Sequence, residues 1–158
     1  MDPWPEPVER VARALRDASI DARVEELAHA TPTAEDTAKA LGCGKGQIVA
    51  SLLFVCDGRP ILTLVPGDRQ VDPARVASAV GSRRARVGRP EEVRAATGCD
   101  PAVVAPFPAP GVFRVVLARE LLVHEIVWVV AGTARHMAGL SPLDLVRLTR
   151  ARADDLCA

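Results

Sequence analysis

The chain has 158 residues, 49% of them hydrophobic and 25% charged, which suits one folded domain with a real core and excludes a largely disordered chain. Twenty basic and twenty acidic residues cancel to zero formal charge, so no global field draws in nucleic acid and any RNA contact has to be local. Cys43, Cys56, Cys99 and Cys157 share no Cys-x-x-Cys spacing, which argues against zinc or dithiol chemistry and reads as free thiols. The start, Met1 to Pro7, is acidic and rich in proline, unlike a secretory signal, and no apolar run is long enough to span a bilayer. The expectation is a single cytoplasmic domain over 1–158, with 1–6 a loose lead-in, no cofactor and no metal, and neither membrane nor DNA as partner.

From Pro7 to about Ser19, Val8, Val11, Ala12 and Leu15 recur at helical spacing with Glu9, Arg10, Arg13 and Arg16 opposite them. Ala22 to Leu27 reads as a short strand. Thr33 is placed to cap a helix that Gly42 closes, with Asp36 as the reciprocal capping partner. Cys43-Gly44-Lys45-Gly46 follows; it lacks the Gly-x-x-x-x-Gly-Lys-Ser/Thr pattern and precedes a strand, so it is not a phosphate loop.

Gln47 to Gly67 is two apolar runs joined by Asp57-Gly58, a pair suited to the positive φ angles of a tight hairpin turn. With that turn, Cys56 faces Arg59, Phe54 faces Ile61, Leu52 faces Thr63 and Ala50 faces Val65. Both faces of the first strand are mainly apolar, so the hairpin belongs in the middle of a sheet. Ala50 and Ser51 are small among bulky neighbours, which reads either as close packing against a helix or as the floor of a pocket.

Asp72-Pro73 starts a helix that Gly81 ends, Arg84 to Val87 reads as a strand, and Pro90 to Ala96 is a helix stopped by Gly98. Gly98 to Gly111 carries four prolines, which forbid a helix or an inner strand, while Val103, Val104 and Phe107 are too apolar for a solvent loop. The segment reads as rigid and partly buried, either a lid over the core or the wall of a site. Strands follow at Val112–Leu117 and Ile126–Ala131, separated by an ambiguous 119–125. Ser141-Pro142 then opens a C-terminal helix with Asp144 as capping partner, Leu145, Leu148 and Leu156 inward, and Arg147, Arg150 and Arg152 outward. The one clear pairing is antiparallel and helices alternate irregularly with strands, a mixed α+β pattern.

None of the usual catalytic motifs is present. His29, His124 and His136 form no metal-binding pair, no Gly-x-Ser-x-Gly elbow exists, and no base adjoins a cysteine. His136, just past the last interior strand, is the best placed of the three.

The order of the pieces carries more. Thr33 to Gly42, Gln47 to Phe54, Leu62 to Asp68, Val71-Asp72, Thr97-Gly98, Ala105-Pro106-Phe107, Val127 to Gly132 and Ser141 to Leu145 together resemble the YbaK-type family, the prolyl-tRNA synthetase-associated editing domains. The resemblance covers about Val8 to Arg150. It implies an α+β domain with a curved, largely antiparallel, barrel-like sheet flanked by helices. It also implies a trans-acting deacylase that hydrolyses the ester of a mischarged tRNA without metal or protein nucleophile, its partners the aminoacyl-tRNA 3′ end and a synthetase. On that reading the backbone of Ala102, Val103, Val104, Ala105 and Pro106 polarises the ester carbonyl and Ser51 or His136 holds a water or hydroxyl. Thr33, Ala50, Phe107, Gly132 and His136 contact substrate. The sequence departs from the family at Ala50, where a lysine is usual, at Ala102, which replaces a loop glycine, and at Ala118, which replaces an aspartate. A drier pocket lacking the lysine suits a small apolar or thiol-bearing amino acid. The alternative is a non-catalytic relative that binds an aminoacyl-tRNA end, an amino acid or a protein. Arg83, Arg84, Arg86 and Arg89 read either as a tRNA-facing patch or as a solvated edge.

Overall fold

The computed structural model describes residues 4–158; of the expected lead-in over 1–6, residues 1–3 lie outside the described residues. Helix α1 (Glu6–Asp17) starts within that lead-in and buries Val8, Val11, Ala12 and Leu15, as the spacing requires. Trp4 is not loose: its ring meets His136 edge to face at 5.4 Å. Strand β1 (Arg23–Glu26) and helix α2 (Ala34–Leu41) follow. Thr33 Oγ1 accepts from the Asp36 N–H at 3.1 Å, and Gly42 closes α2 at φ 70°.

The hairpin of β2 (Val49–Cys56) and β3 (Arg59–Pro66) has the expected register, from Cys56 opposite Arg59 to Ala50 opposite Val65. Asp57 and Gly58 take the positive φ values, 51° and 74°, that the turn needs. After β3 come α3 (Pro73–Ala79), β4 (Arg86–Val87), α4 (Pro90–Thr97) and β5 (Arg114–Ala118). The hairpin is central in a five-stranded sheet of order β4-β2-β3-β5-β8, in which β3 and β5 run parallel because two helices intervene between them. One face of the hairpin packs Val49, Leu53, Leu62 and Leu64 with α1, α4 and the proline-rich segment. The other packs Phe54, Cys56, Ile61 and Val65 with Val76 of α3.

A second sheet, β1-β7-β6, comprises β1, β6 (Val127–Val130) and β7 (His136–Leu140), all antiparallel. It meets the first at a parallel bridge between Ile48 and Trp128, so the sheets curve together without closing into a barrel.

Two elements differ from the sequence reading. β7 has no alternating signature in His-Met-Ala-Gly-Leu; it is a strand because Gly139 lets the Trp128 ring lie against it, where a Cβ would stand 2.9 Å from the ring. The C-terminal helix α5 (Pro142–Thr149) begins at the expected Ser141 cap but stops at Arg150, which turns left-handed at φ 56°. Arg152 therefore lies on strand β8 (Arg152–Asp154), parallel to β5, and Leu156 is buried in the tail instead of on a helix face. No described helix is long and apolar enough to cross a membrane.

Candidate functional site

The site begins with an interruption in hydrogen bonding along β2. In an antiparallel hairpin closed by a two-residue turn, alternate residues turn their N–H and C=O toward the partner, so Cys56, Phe54, Leu52 and Ala50 bond β3. Val55, Leu53, Ser51 and Val49 turn theirs to the opposite edge. There Val55 meets Arg86 of β4, and the Leu53 carbonyl accepts from the Gly88 N–H at 2.8 Å. Further back, Ile48 bridges Trp128. Ser51 falls between these partners, and its N–H and C=O are left without a partner strand. Its side-chain Oγ is also buried without a hydrogen-bond partner, one of two such side-chain atoms among the described residues; the other is Thr63 Oγ1. The Ser51 hydroxyl is thus buried and unpaired where the sheet leaves that residue without a neighbouring strand, an arrangement that is costly unless something binds there.

Beside this gap lies a hollow of about 270 Å³, lined by Ser51 to Phe54, Val71, Val87, Gly88, Pro90 and Val93, and closed on the far side by Pro101 and Val104. Its walls are almost wholly apolar. The β4–α4 rim is fixed by a bidentate pair: Arg86 donates to both carboxylate oxygens of Glu92 at 2.7 and 2.9 Å, and Glu92 also accepts from the Arg89 N–H at 2.9 Å. The Arg86 guanidinium and that N–H pull the Glu92 carboxyl down to about 2.

The proline-rich segment divides two spaces. Pro101 and Val104 face the hollow beside Ser51, whereas Val103, Ala105 and Phe107 face a hollow of about 330 Å³ bounded by Pro7, Arg10, Val11, Gly98 and Gly132. The larger space is not the one that meets Ser51. Within the expected backbone set the N–H groups are unequal. Ala102 donates to Asp100 Oδ1 and Val103 to the Asp100 carbonyl, both at 2.9 Å, and Pro106 has no N–H. Val104 and Ala105 form no hydrogen bond from N–H among the described residues, which leaves them as the free donors. Ala102 does not take a positive φ, so alanine fits there without backbone strain.

The other expected residues scatter. Ala50 turns to the opposite face from Ser51, against Phe54 and Val65, and lines neither space. Pro106 is buried next to a third hollow formed with Ala14, Val115 and Leu148, and Phe107 borders both that one and the largest. Gly132, at φ 105°, is packed against the start of α1: a Cβ there would lie 2.5 Å from the Pro7 carbonyl. Thr33 is spent as a helix cap. His136 is buried, with Nδ1 2.5 Å from Thr133 Oγ1 and Trp4 against its ring, and lines none of these spaces. The Val87–Gly88 rim went unrecognised in the sequence, where the Gly88-Arg89-Pro90 break after a short strand is the signal that marks it, whereas Pro101 falls in the proline-rich segment read as a lid or the wall of a site.

All four cysteines are unpaired. Burial pushes the Cys43 and Cys56 thiols up, and burial with Glu120 alongside raises Cys157 to about 11, which removes it as a nucleophile at neutral pH. No group of three or more His, Cys, Asp and Glu side chains converges among the described residues.

Residues 28–148 match the model of the aminoacyl-tRNA editing domain. The chain belongs to that family. It superposes with a TM-score of 0.91 on the crystal structure of a candidate trans-editing enzyme for prolyl-tRNA synthetase, at 34% identity and covering 99% of both chains. It is 35% identical over 89 residues to the proline–tRNA ligase of Nitratidesulfovibrio vulgaris strain DP4, covering 56% of this chain and 16% of the ligase. A candidate Cys-tRNA(Pro)/Cys-tRNA(Cys) deacylase of Enterococcus faecalis is 27% identical over 118 residues, 74% of this chain and 72% of its own length. The chain thus spans about a sixth of the length of the ligases it matches first. The fold read from the sequence, mixed α and β with a curved sheet, is the fold observed, and it is shared with that trans-editing structure.

Proposed function

We propose that this chain is a trans-acting deacylase that hydrolyses the ester between a wrong amino acid and the 3′-terminal ribose of a tRNA, and that the slot between Ser51 and Val104 holds the reacting ester. The observation that carries the reading is a coincidence in one hollow: Ser51, whose hydroxyl is buried without a partner, and Val104, whose N–H makes no hydrogen bond within the described fold, both line it. Membership of the editing-domain family and the similarity to trans-editing and deacylase proteins support it.

The chemistry asks little of side chains. A water oxygen attacks the ester carbonyl carbon, and the carbonyl π pair moves onto oxygen to give a tetrahedral oxyanion. The intermediate collapses with cleavage of the acyl C–O bond, the ribose oxygen takes a proton that the attacking water gives up, and the products are free amino acid and an intact tRNA end. Fixed N–H donors aimed at the developing oxyanion supply the largest stabilisation, because they are in place before charge forms and act in a dry slot. The Ser51 hydroxyl is buried without a partner in the protein, and it takes up the water or the substrate amine when the slot opens to admit the ester.

The apolar lining by Leu53, Phe54, Val93 and Val104 favours a small apolar or thiol-bearing side chain. β2 carries no Lys or Arg from Val49 to Cys56, so it brings no cation to the slot. A synthetase that mischarges its tRNA is the proposed source of substrate, since a pocket cannot strongly reject a smaller near-isostere by binding alone. The test is a deacylation panel: tRNAs charged with alanine, serine, cysteine and proline are incubated with the chain and release of amino acid is followed. Enzyme-dependent release for at least one mischarged tRNA is expected. Release at the uncatalysed rate for all would instead identify a binding relative.

A further inference from the structure

The tip of the β2–β3 hairpin carries arginines that no described carboxylate pairs. Arg59 follows the turn and its guanidinium lies over the Phe113 ring at 4.4 Å, while Arg114 approaches the same ring at 5.5 Å. Phe113 is 50% exposed although it is aromatic and flanked by the buried strand β5. The segment after α3 is tied to this tip, because Ser82 Oγ donates to the Asp57 carboxylate at 2.8 Å and Ser82 lines one hollow with Arg59, and the exposed Arg83 and Arg84 follow directly in the chain. Among the described residues none of Arg59, Arg83, Arg84 and Arg114 is in an ion pair, and the one carboxylate at the tip, Asp57, is engaged by Ser82. Arg86, next in line, differs: Glu92 holds it, and it serves the rim of the slot.

Two unpaired guanidinium groups against one exposed aromatic ring, with two further exposed and unpaired arginines just after Ser82, form a local basic surface with a stacking platform in a protein of zero net charge. That combination fits a polynucleotide, whose phosphates take the arginines and whose bases stack on aromatic or guanidinium planes. An acidic protein surface would not require the ring. The position is informative. β2 runs straight from Ser51 to this tip, about 20 Å at the rise of a strand, which is roughly six nucleotides at the 3.4 Å rise of a stacked strand.

We infer that Arg59, Arg83, Arg84, Arg114 and Phe113 form a docking surface for the RNA body of the substrate, holding the acceptor region while its 3′ end reaches the slot. This rests on the proposed deacylase reading for its substrate, but the binding itself is measurable without turnover. Uncharged, fluorescently labelled tRNA is titrated by anisotropy across a series of salt concentrations with the wild type, with a quadruple variant R59Q/R83Q/R84Q/R114Q, and with the control R16Q/R23Q on the distant α1–β1 side. Circular dichroism and melting temperature confirm that each variant is folded.

The expected result is a log–log salt slope that is shallower by about three in the quadruple variant, from roughly 0.7–0.9 per lost phosphate contact. Affinity at 50 mM salt should fall at least tenfold, with the control unchanged. Phe113→Leu should weaken binding severalfold without altering the slope. Hydrolysis of an aminoacylated adenosine without RNA body should be equal in wild type and quadruple variant, while KM for full mischarged tRNA rises. Unchanged affinity and slope in the quadruple variant, or an equal loss in the control, would overturn the inference. Loss of tRNA binding with no hydrolysis of any substrate by the wild type would leave this surface standing and sink the deacylase reading alone.

Discussion

Ser51→Ala and Thr63→Val remove the two side-chain hydroxyls that the described fold leaves buried and unpaired; they should act alike on stability, and only Ser51→Ala should lower activity. An unsatisfied buried hydroxyl costs about 1–3 kcal/mol against an apolar group of the same shape. Thr63 is fully buried on the α3 face of the sheet, and valine matches its outline, so Thr63→Val should stabilise by about 1 kcal/mol. For a domain of this size that is roughly 2–4 °C in melting temperature. Ser51→Ala should gain a similar or smaller amount. Only Ser51 lines the slot, so only Ser51→Ala should lose deacylation. A hydrogen bond to substrate or water worth about 0.5–1.5 kcal/mol corresponds to a roughly twofold to tenfold drop in kcat/KM. Denaturant titration and single-turnover deacylation of both variants supply the two readouts. Destabilisation of Ser51→Ala by 1 kcal/mol or more, or full activity with it, would refute the reasoning, because the first means the hydroxyl is bonded and the second that the slot is not where chemistry occurs.

Three further outcomes follow from the same geometry. Glu92 is held near 2 in the folded protein, below its ordinary value of 4.5, so the stability it contributes is complete above about pH 4.5 and is lost as pH falls toward 2. Glu92→Gln should therefore be less stable than wild type at pH 7 and indistinguishable from it near pH 2; a gap constant across that window in urea titrations would contradict the pairing with Arg86. Gly132→Ala places a Cβ 2.5 Å from the Pro7 carbonyl at φ 105°, which at about 1–3 kcal/mol of backbone strain should lower the melting temperature by several degrees; an unchanged value would show that α1 moves freely. Amide-to-ester exchange at Val104 or Ala105 deletes one N–H and leaves the side chains alone. It should reduce kcat by about 10²–10³ if that group holds the oxyanion, whereas the same exchange at Ala102, already bonded to Asp100, should leave kcat near wild type.

Much of the fold is legible because its signals are local. Asp57-Gly58 sets the register of the central hairpin down to individual pairs, and Thr33, Asp72 and Ser141 each cap the helix they precede. What escapes is set by tertiary partners. His136 to Leu140 forms a strand because β1 and β6 flank it and Gly139 admits the Trp128 ring, and Arg152 to Asp154 pairs with β5 after a left-handed Arg150 that nothing nearby announces. The site was legible in outline only. Of its two expected walls, the small residues of β2 and the proline-rich segment, Ser51 lines a common hollow with Pro101 and Val104, while Ala50 faces the other way and Pro106 lies beside a different hollow. Which face Ala50 takes follows from period two, but which N–H groups remain free depends on Asp100 turning back to bond Ala102 and Val103, a loop geometry that composition does not encode.

The most direct test of the slot is a ¹⁵N chemical-shift titration with a non-hydrolysable 3′-aminoacylamino-adenosine. Saturable shifts of the Ser51, Val104 and Ala105 amides, with the Gly132 and His136 amides unmoved, are the predicted result. Shifts centred on Gly132 and Arg10 in the larger hollow, with Ser51 silent, would contradict the account.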